Sequence, residues 1–276
     1  MKTIKVGLIG TGYMGKAHAI ALRSVPAVFE LSAKVECEML AEVNEQLAKE
    51  KAKELGFNRA TGDWLTLVND ENIDVVDICS PNYLHKEMAL AAIAAGKHVY
   101  SEKPLALNAA DALEMTLAAE KAGVKTLVGF NYAKNPASQL AKEIIEQGEI
   151  GDIVHFRGIH NEDYLSDPLT PFSWRLKREF SGSGALGDLG SHIINMAQFL
   201  VGDIASVNGD LQTITKNRPL AENSNETGKV ENEDQAHAMI RFSNGAIGTL
   251  ETSRIACGRK MGLSYEITGT KGSILF

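Results

Sequence analysis

The hexapeptide Gly10-Thr11-Gly12-Tyr13-Met14-Gly15 follows the β-branched run 4–9 and opens a helix-forming stretch that includes residues 18–22, a placement that constrains the fold more than any other feature of the chain. In a strand–turn–helix unit each glycine has its own steric task. One permits the tight turn, one lets backbone approach a pyrophosphate, and one lets helix and strand pack closely. The phosphate then meets unpaired N–H groups at the helix N-terminus, which makes Gly10, Gly12, Tyr13, Met14 and Gly15 candidate cofactor contacts. From residue 4 to about 132, short β-branched runs alternate with helical stretches, the pattern of a parallel sheet covered on both faces. The predicted strands are 4–9, 39–43, 75–78, 98–101 and 126–130. The predicted helices 48–55, 86–95 and 109–122 are rich in Ala, Leu, Lys and Glu, with Gly56, Gly96 and Gly123 near their ends. An acidic residue ending the second strand would accept hydrogen bonds from adenosine ribose hydroxyls and repel a 2′-phosphate. Glu42 is that candidate, with 29–38 reading as a longer connection, so NAD is favoured over NADP.

The 276 residues, 44% hydrophobic and 23% charged, suffice for two compact domains. Basic residues are scattered, and 28 Lys+Arg against 35 Asp+Glu give a net charge of -7, which argues against a nucleic-acid surface. No apolar run approaches the roughly 20 residues that span a bilayer, and Met1 to Ile4 lead straight into a strand without a signal peptide. A cytoplasmic protein is expected. Cys37, Cys79 and Cys257 lie far apart without C-x-x-C spacing, as suits a reducing compartment.

After Tyr132 the alternation changes. Residues 137–147 and 192–200 read as helices, and 151–160, 205–215, 235–242, 246–254 and 263–268 as strands. In 235–242, Ala236, Ala238, Ile240 and Phe242 share one face, while Gln235, His237, Met239 and Arg241 share the other; this is a half-buried strand of antiparallel type. The fold class is therefore α/β, with an N-terminal Rossmann domain (doubly wound parallel sheet, residues 1–132). An α+β domain with a large open, mostly antiparallel sheet follows (133–276). An open sheet needs cover on its second face, so a homodimer or homotetramer through that sheet is expected. The polar stretch 216–234 reads as a mobile surface loop, either a lid or an insertion.

Three proton-handling side chains stand near that framework. Lys103, in Ser101-Glu102-Lys103-Pro104, follows a predicted strand at the sheet edge where cofactor and substrate meet in open α/β folds. Proline restrains the peptide that presents it. Asp188 and His192 are four residues apart at a helix start, so both can face one pocket. Gly184, Gly187 and Gly190 around them would leave room for a ligand. Oxidising a secondary alcohol needs a base for the hydroxyl proton; Lys103 and His192 could share it while Asp188 fixes substrate hydroxyls. No second histidine lies at metal-ligand spacing, so no metal is expected.

Taken together these residues resemble the glucose-fructose oxidoreductase / inositol dehydrogenase family (Gfo/Idh/MocA), over essentially the whole chain. The carriers are the Gly10 to Gly15 run, Ser80-Pro81-Asn82 with His85, Glu102-Lys103-Pro104, and Asp188-Leu189-Gly190-Ser191-His192. The resemblance implies that Lys103, Asp188 and His192 are the catalytic set. It also implies that Ser80, Pro81, Asn82 and His85 line the nicotinamide side, and that Glu102, Trp174 and Arg175 reach the cofactor. A sugar, cyclitol or related polyol would be oxidised by NAD. Tyr132, Asn161 and Tyr164 are weaker candidates for the substrate pocket. Two departures stand out. Asn195 occupies the position of the family's usual aspartate three residues after the histidine, a change expected to reach His192 or the substrate preference. The chain ends at Phe276, where family members continue, so the second domain is expected to be incomplete. The competing expectation is a non-catalytic NAD- or sugar-binding sensor on the same scaffold, or a shortened inactive member of the family.

Overall fold

The computed structural model describes Met1–Phe276, and these residues form two compact units, Met1–Gly129 and Phe130–Phe276. The first unit runs β1 (Lys2–Ile9), α1 (Tyr13–Val28), β2 (Ala33–Ala41), α2 (Glu45–Leu55), β3 (Arg59–Thr61) and α3 (Trp64–Val68). It continues with β4 (Val75–Ile78), α4 (His85–Ala94), β5 (His98–Ser101), α5 (Ala109–Ala122) and β6 (Thr126–Val128). The six strands are parallel in the order β3-β2-β1-β4-β5-β6. Alternation along β1 and β2 shows why helices cover both faces. Leu8 and Leu40 point to a cluster with Ala19 of α1 and Ala48, Ala52 and Leu55 of α2. Ile9, Met39 and Ala41 point the other way, to Met88, Ala92 and Ile93 of α4 and Met115 and Ala119 of α5. The Rossmann expectation holds in this doubly wound sheet.

One reading of this half needs correction, and two short elements went unread. The stretch 29–38 is not merely a connection, because β2 begins at Ala33. Its acidic residues hid the strand: Glu38 is buried, and its carboxylate accepts from Arg59 Nε at 2.8 Å and Asn58 Nδ2 at 3.0 Å, so the polar position is satisfied by the neighbouring strand. The elements β3 and α3 are too short, at three and five residues, to display a period in the sequence.

The second unit contains α6 (Pro136–Glu146), β7 (Ile153–Asn161), the short α7 (Arg178–Ser181) and α8 (Ser191–Leu200). Then come β8 (Ile204–Gln212), β9 (Asn217–Pro219), β10 (Thr227–Lys229), β11 (Gln235–Phe242), β12 (Ile247–Ser253), β13 (Gly262–Gly269) and β14 (Ser273–Leu275). Its main sheet has the order β14-β13-β7-β12-β11-β8, antiparallel except for the β7–β12 pair. One face packs Phe156, Ile240, Phe242 and Ile267 against Ala141 of α6 and Ile193, Met196 and Leu200 of α8. The other face leaves Met239 and Ile247 exposed. As expected, β11 alternates, with Ala236, Ile240 and Phe242 buried. No helix is long and apolar enough to cross a membrane.

The expectation of a mobile surface loop at 216–234 is overturned. The segment forms the β9–β10 hairpin, and Arg218, Val230, Asn232, Glu233 and Asp234 are buried. Its polarity is used internally. Arg218 donates to the carbonyls of Asp167 (2.7 Å) and Leu165 (2.6 Å), and Asp234 pairs with Arg254 Nε at 2.9 Å while accepting from the amides of Ile214 and Thr215. Polar residues that find partners can be buried as firmly as apolar ones.

Candidate functional site

In the first unit the fingerprint turn is built as its glycines require. Gly10 has φ +89°, in the left-handed region, and a Cβ there would lie 2.9 Å from the Cys79 carbonyl oxygen. A Cβ on Gly15 would meet the Gly10 carbonyl oxygen at 2.0 Å, so only glycine lets α1 leave the strand this closely. Gly12 is different, since a Cβ there meets nothing within 4 Å. That open space adjoins the start of α1, which has no side-chain cap and no acidic residue in its first turn. The cradle therefore suits a dinucleotide pyrophosphate. Tyr13 is largely exposed at its rim and Met14 is half-buried. Glu42 sits just past β2, and its carboxylate accepts from Thr11 N at 2.7 Å, from Thr11 Oγ1 and from Val43 N at 3.0 Å. It is thus tied to the glycine turn instead of being a solvated strand end.

After β4, Pro81 leads into a 3₁₀ turn, Asn82–Leu84. The Ser80 hydroxyl beside it is buried with no hydrogen-bond partner, as expected of a group whose partner is a bound molecule. His85 is completely buried, with Nδ1 2.8 Å from Pro104 O and Nε2 2.9 Å from Ser80 O. Burial pushes its pKa down against the pull of the two carbonyls. Both ring nitrogens are occupied, so His85 clamps the Ser80 turn to the Lys103–Pro104 turn. Glu102 is likewise buried: Oε1 lies 3.1 Å from His18 Nε2, and Oε2 accepts from Lys103 N at 3.3 Å. It supports the turn from beneath.

In the second unit Asp188 lies in a π-helical turn, Leu186–Gly190, that runs directly into α8. Such turns recur at functional sites. The turn is held at its start by Glu233, whose Oε1 accepts from Gly184 N (2.7 Å) and Leu186 N (2.9 Å). At its end His160 Nδ1 lies 2.9 Å from Leu189 O. The Tyr164 hydroxyl donates to Asp188 Oδ2 at 2.7 Å. Burial of that hydroxyl, reinforced by the negative charge of Asp188, holds the Tyr164 pKa well above its ordinary value, so the phenol keeps its proton to donate. The His192 ring, 7% exposed, sits 5.1 Å from Tyr132, 5.6 Å from His160 and 5.9 Å from Phe130, centre to centre.

The structure therefore brings Asp188, Tyr164, His192 and Tyr132 into one neighbourhood within this unit. Asn161 turns to Glu251 (Nδ2 to Oε1, 2.7 Å) with its Oδ1 buried and unpartnered. Asn195 is half-buried three residues beyond His192 on α8. The Arg175 guanidinium stacks 4.5 Å above the Trp174 ring. The idea that Gly184, Gly187 and Gly190 leave room for a ligand is overturned. A Cβ at the first would lie 2.0 Å from the Glu233 carbonyl oxygen, at the second 2.2 Å from Ser183 Oγ, and at the third 3.1 Å from a Leu186 methyl. They are small because the turn packs tightly.

Sequence reasoning missed two buried histidines. His160 ends a strand and carries no motif. His18 follows Gly15 by three residues, but its partners Asp77 and Glu102 are 59 and 84 residues away. Donor atoms of His18, Asp77 and Cys79 lie within 4.8 Å of one another. The imidazole and carboxylate touch directly at 2.9 Å, closer than the roughly 3.3 Å between ligands on one tetrahedral ion.

Residues 4–130 match the model of an oxidoreductase family with an NAD-binding Rossmann fold, and 138–275 match that of a GFO/IDH/MocA C-terminal domain. A levoglucosan dehydrogenase of Pseudarthrobacter phenanthrenivorans is 42% identical, over 100% of this chain and 74% of its own. A myo-inositol 2-dehydrogenase of Thermotoga maritima is 31% identical, over 98% and 74% respectively. A solved levoglucosan dehydrogenase in complex with NADH and levoglucosan superposes with a TM-score of 0.96 at 44% identity, covering 100% of this chain and 73% of that one.

Proposed function

The chain belongs to the Gfo/Idh/MocA family and is an NAD-dependent dehydrogenase of sugar or cyclitol alcohols; from that premise we propose that Lys103, Asp188 and His192 carry its chemistry on a compact pyranose such as levoglucosan. The observation that carries this reading is the π-turn, which sets Asp188 and His192 on successive turns with Asp188 held by Tyr164. Gly10, Gly12, Gly15, Glu42 and Ser80 would hold NAD, which when bound supplies the hydride acceptor. Lys103 and His192 are the groups that would take the reacting hydroxyl's proton as the C–H bond breaks. Asp188 accepts a hydrogen bond from a neighbouring hydroxyl and so fixes which carbon reacts. Tyr132 packs edge to face against His192 and would line the polyol pocket. The Rossmann domain ends near residue 130 in this reading, with the substrate domain after it.

The test is NADH formation, followed by absorbance, with NAD and a panel of levoglucosan, myo-inositol and aldopyranoses. Turnover on levoglucosan or another pyranose is expected, lost about 10²–10⁴-fold in Lys103→Ala. Silence across the panel, or undiminished turnover by that variant, would overturn the reading. The exposed Met239 and Ile247 on the open face of the second sheet are assigned to a homo-oligomer contact, and a monomer by light scattering would exclude it. The cytoplasm, which holds NAD and keeps thiols reduced, suits the three free cysteines.

A further inference from the structure

Beneath Lys103 the first unit buries a chain of ionisable groups that the mechanism above does not use. His18 Nδ1 lies 2.9 and 3.0 Å from the two carboxylate oxygens of Asp77, and Nε2 lies 3.1 Å from Glu102 Oε1. His18, Asp77 and Glu102 are 8%, 1% and 5% exposed. The imidazole stacks on Tyr100 at 4.8 Å, and Cys79 Sγ is 3.3 Å from Nδ1. Gly129 passes close beside the Glu102 carboxylate: a Cβ there would lie 2.4 Å from Oε1. The other oxygen, Oε2, accepts the amide of Lys103.

A neutral imidazole carries one donor and one acceptor, and an acceptor nitrogen facing a carboxylate would be repelled. Two carboxylates on opposite ring nitrogens therefore call for the imidazolium. Burial alone would oppose that charge, but the hydrogen bonds to Asp77, Cys79 and Glu102 outweigh it and raise the His18 pKa far above its ordinary value. Such a group is expensive to desolvate, and an apolar side chain would fill the space at lower cost. Its geometry gives it a task. His18 lies on α1, the helix whose first turn forms the pyrophosphate cradle, while Asp77 is on β4 and Glu102 follows β5.

We propose that His18 is a positioning residue: held between Asp77 and Glu102, it locks the Glu102 carboxylate against the Lys103 amide and so ties the dinucleotide-binding helix to the loop that presents the lysine. The inference rests on the reading of Lys103 given above. A small displacement of a reacting group can cost about 10²-fold in rate, so loosening this chain should be visible in turnover.

The experiment is a double-mutant cycle between His18→Gln and Lys103→Ala, with NAD and the panel substrate that gives the fastest turnover. His18→Gln alone is expected to lower kcat about 10- to 100-fold, leaving KM for the polyol and the NADH dissociation constant within about twofold. Placed on Lys103→Ala, it should lower the residual rate by no more than about twofold, because the group it positions is already gone. An equal loss in both backgrounds, or no loss in either, overturns the positioning role and leaves that of Lys103 standing. Full activity in Lys103→Ala alone overturns the parent reading and this one with it. Should His18→Gln fail to fold, the near-isosteric Glu102→Gln replaces it in the same cycle, with the same expected non-additivity and the same refuting outcomes.

Discussion

Replacing Gly12 with alanine should separate binding from folding at the cofactor cradle. Gly12 has φ -62° and ψ -166°, a conformation open to any L-residue, and a Cβ there meets no heavy atom within 4 Å. The folded state thus accepts the methyl without strain, while the unfolded chain loses freedom; compatible Gly→Ala changes stabilise by about 0.4–1 kcal/mol. For a unit of this size that is a rise of roughly 1–4 °C in Tm. The space the methyl takes is what a pyrophosphate would need to reach the amides of α1, and charge-assisted hydrogen bonds are each worth about 1.5–3 kcal/mol. Losing one weakens NADH binding about 10- to 100-fold. Thermal unfolding without ligand and fluorescence titration with NADH measure the two effects separately. Gly15→Ala is the control, because its Cβ would lie 2.0 Å from a backbone oxygen and the variant should be destabilised. NADH affinity within about twofold of the parent in Gly12→Ala would remove the pyrophosphate from this turn. A Tm lowered by several degrees would show that the space is not open.

In the second unit, Tyr164→Phe removes the donor that holds Asp188. Steady-state kinetics should show kcat/KM for the polyol reduced about 10- to 100-fold, with NADH affinity unchanged. Asp234→Asn leaves the fully buried Arg254 guanidinium without its charge partner, so urea unfolding should report a loss of about 3–5 kcal/mol. Retained stability there would mean that 216–234 is the loose surface loop its composition suggests. Asp70 pairs with Arg59 Nη1 at 2.6 Å, and that hydrogen bond lowers its pKa from the ordinary 3.8 to about 2. A depressed carboxylate contributes stability above its unfolded pKa and loses it as pH falls through the folded one. The parent should therefore be more stable than Asp70→Asn above about pH 4, the gap closing toward pH 2 in acid unfolding.

The Rossmann half was legible because its strands carry apolar runs while α2, α4 and α5 end at or beside glycines, so periodicity and punctuation agree. That agreement failed where polar side chains entered the interior. The front half of β2 carries Glu36 and Glu38, and only the partners on and before β3 reveal Glu38 as buried. Asp234 and Arg254 are 20 residues apart, and nothing local announces that each neutralises the other. The glycines around Asp188 were visible, but their reason was not. Steric need for a tight turn and space for a ligand leave the same mark on a sequence, and only the contacts a Cβ would make distinguish them. His18 is the extreme case: three groups from three elements, each unremarkable alone, become a buried ion cluster once the sheet is assembled.

These hidden polar residues share a feature that bears on how the site works. Each unit backs the side chain proposed to carry its chemistry with buried groups taken from other elements. His18, Asp77, Glu102 and His85 stand behind the Lys103 turn, and Glu233, His160 and Tyr164 behind the turn of Asp188. Burying charge in this way costs stability that an apolar core would keep, while a reacting group held in advance needs no reorganisation when the bond breaks. Within each unit the two requirements separate a rigid support from a more tolerant surround. Asn195 and Tyr132 make no hydrogen bond to either supporting set. Substitutions at these two positions should therefore shift which polyol is accepted, measured as ratios of kcat/KM across the panel. Substitutions in the set behind the Lys103 turn should lower every kcat/KM together, because they disturb the lysine and not the groups that distinguish one substrate from another.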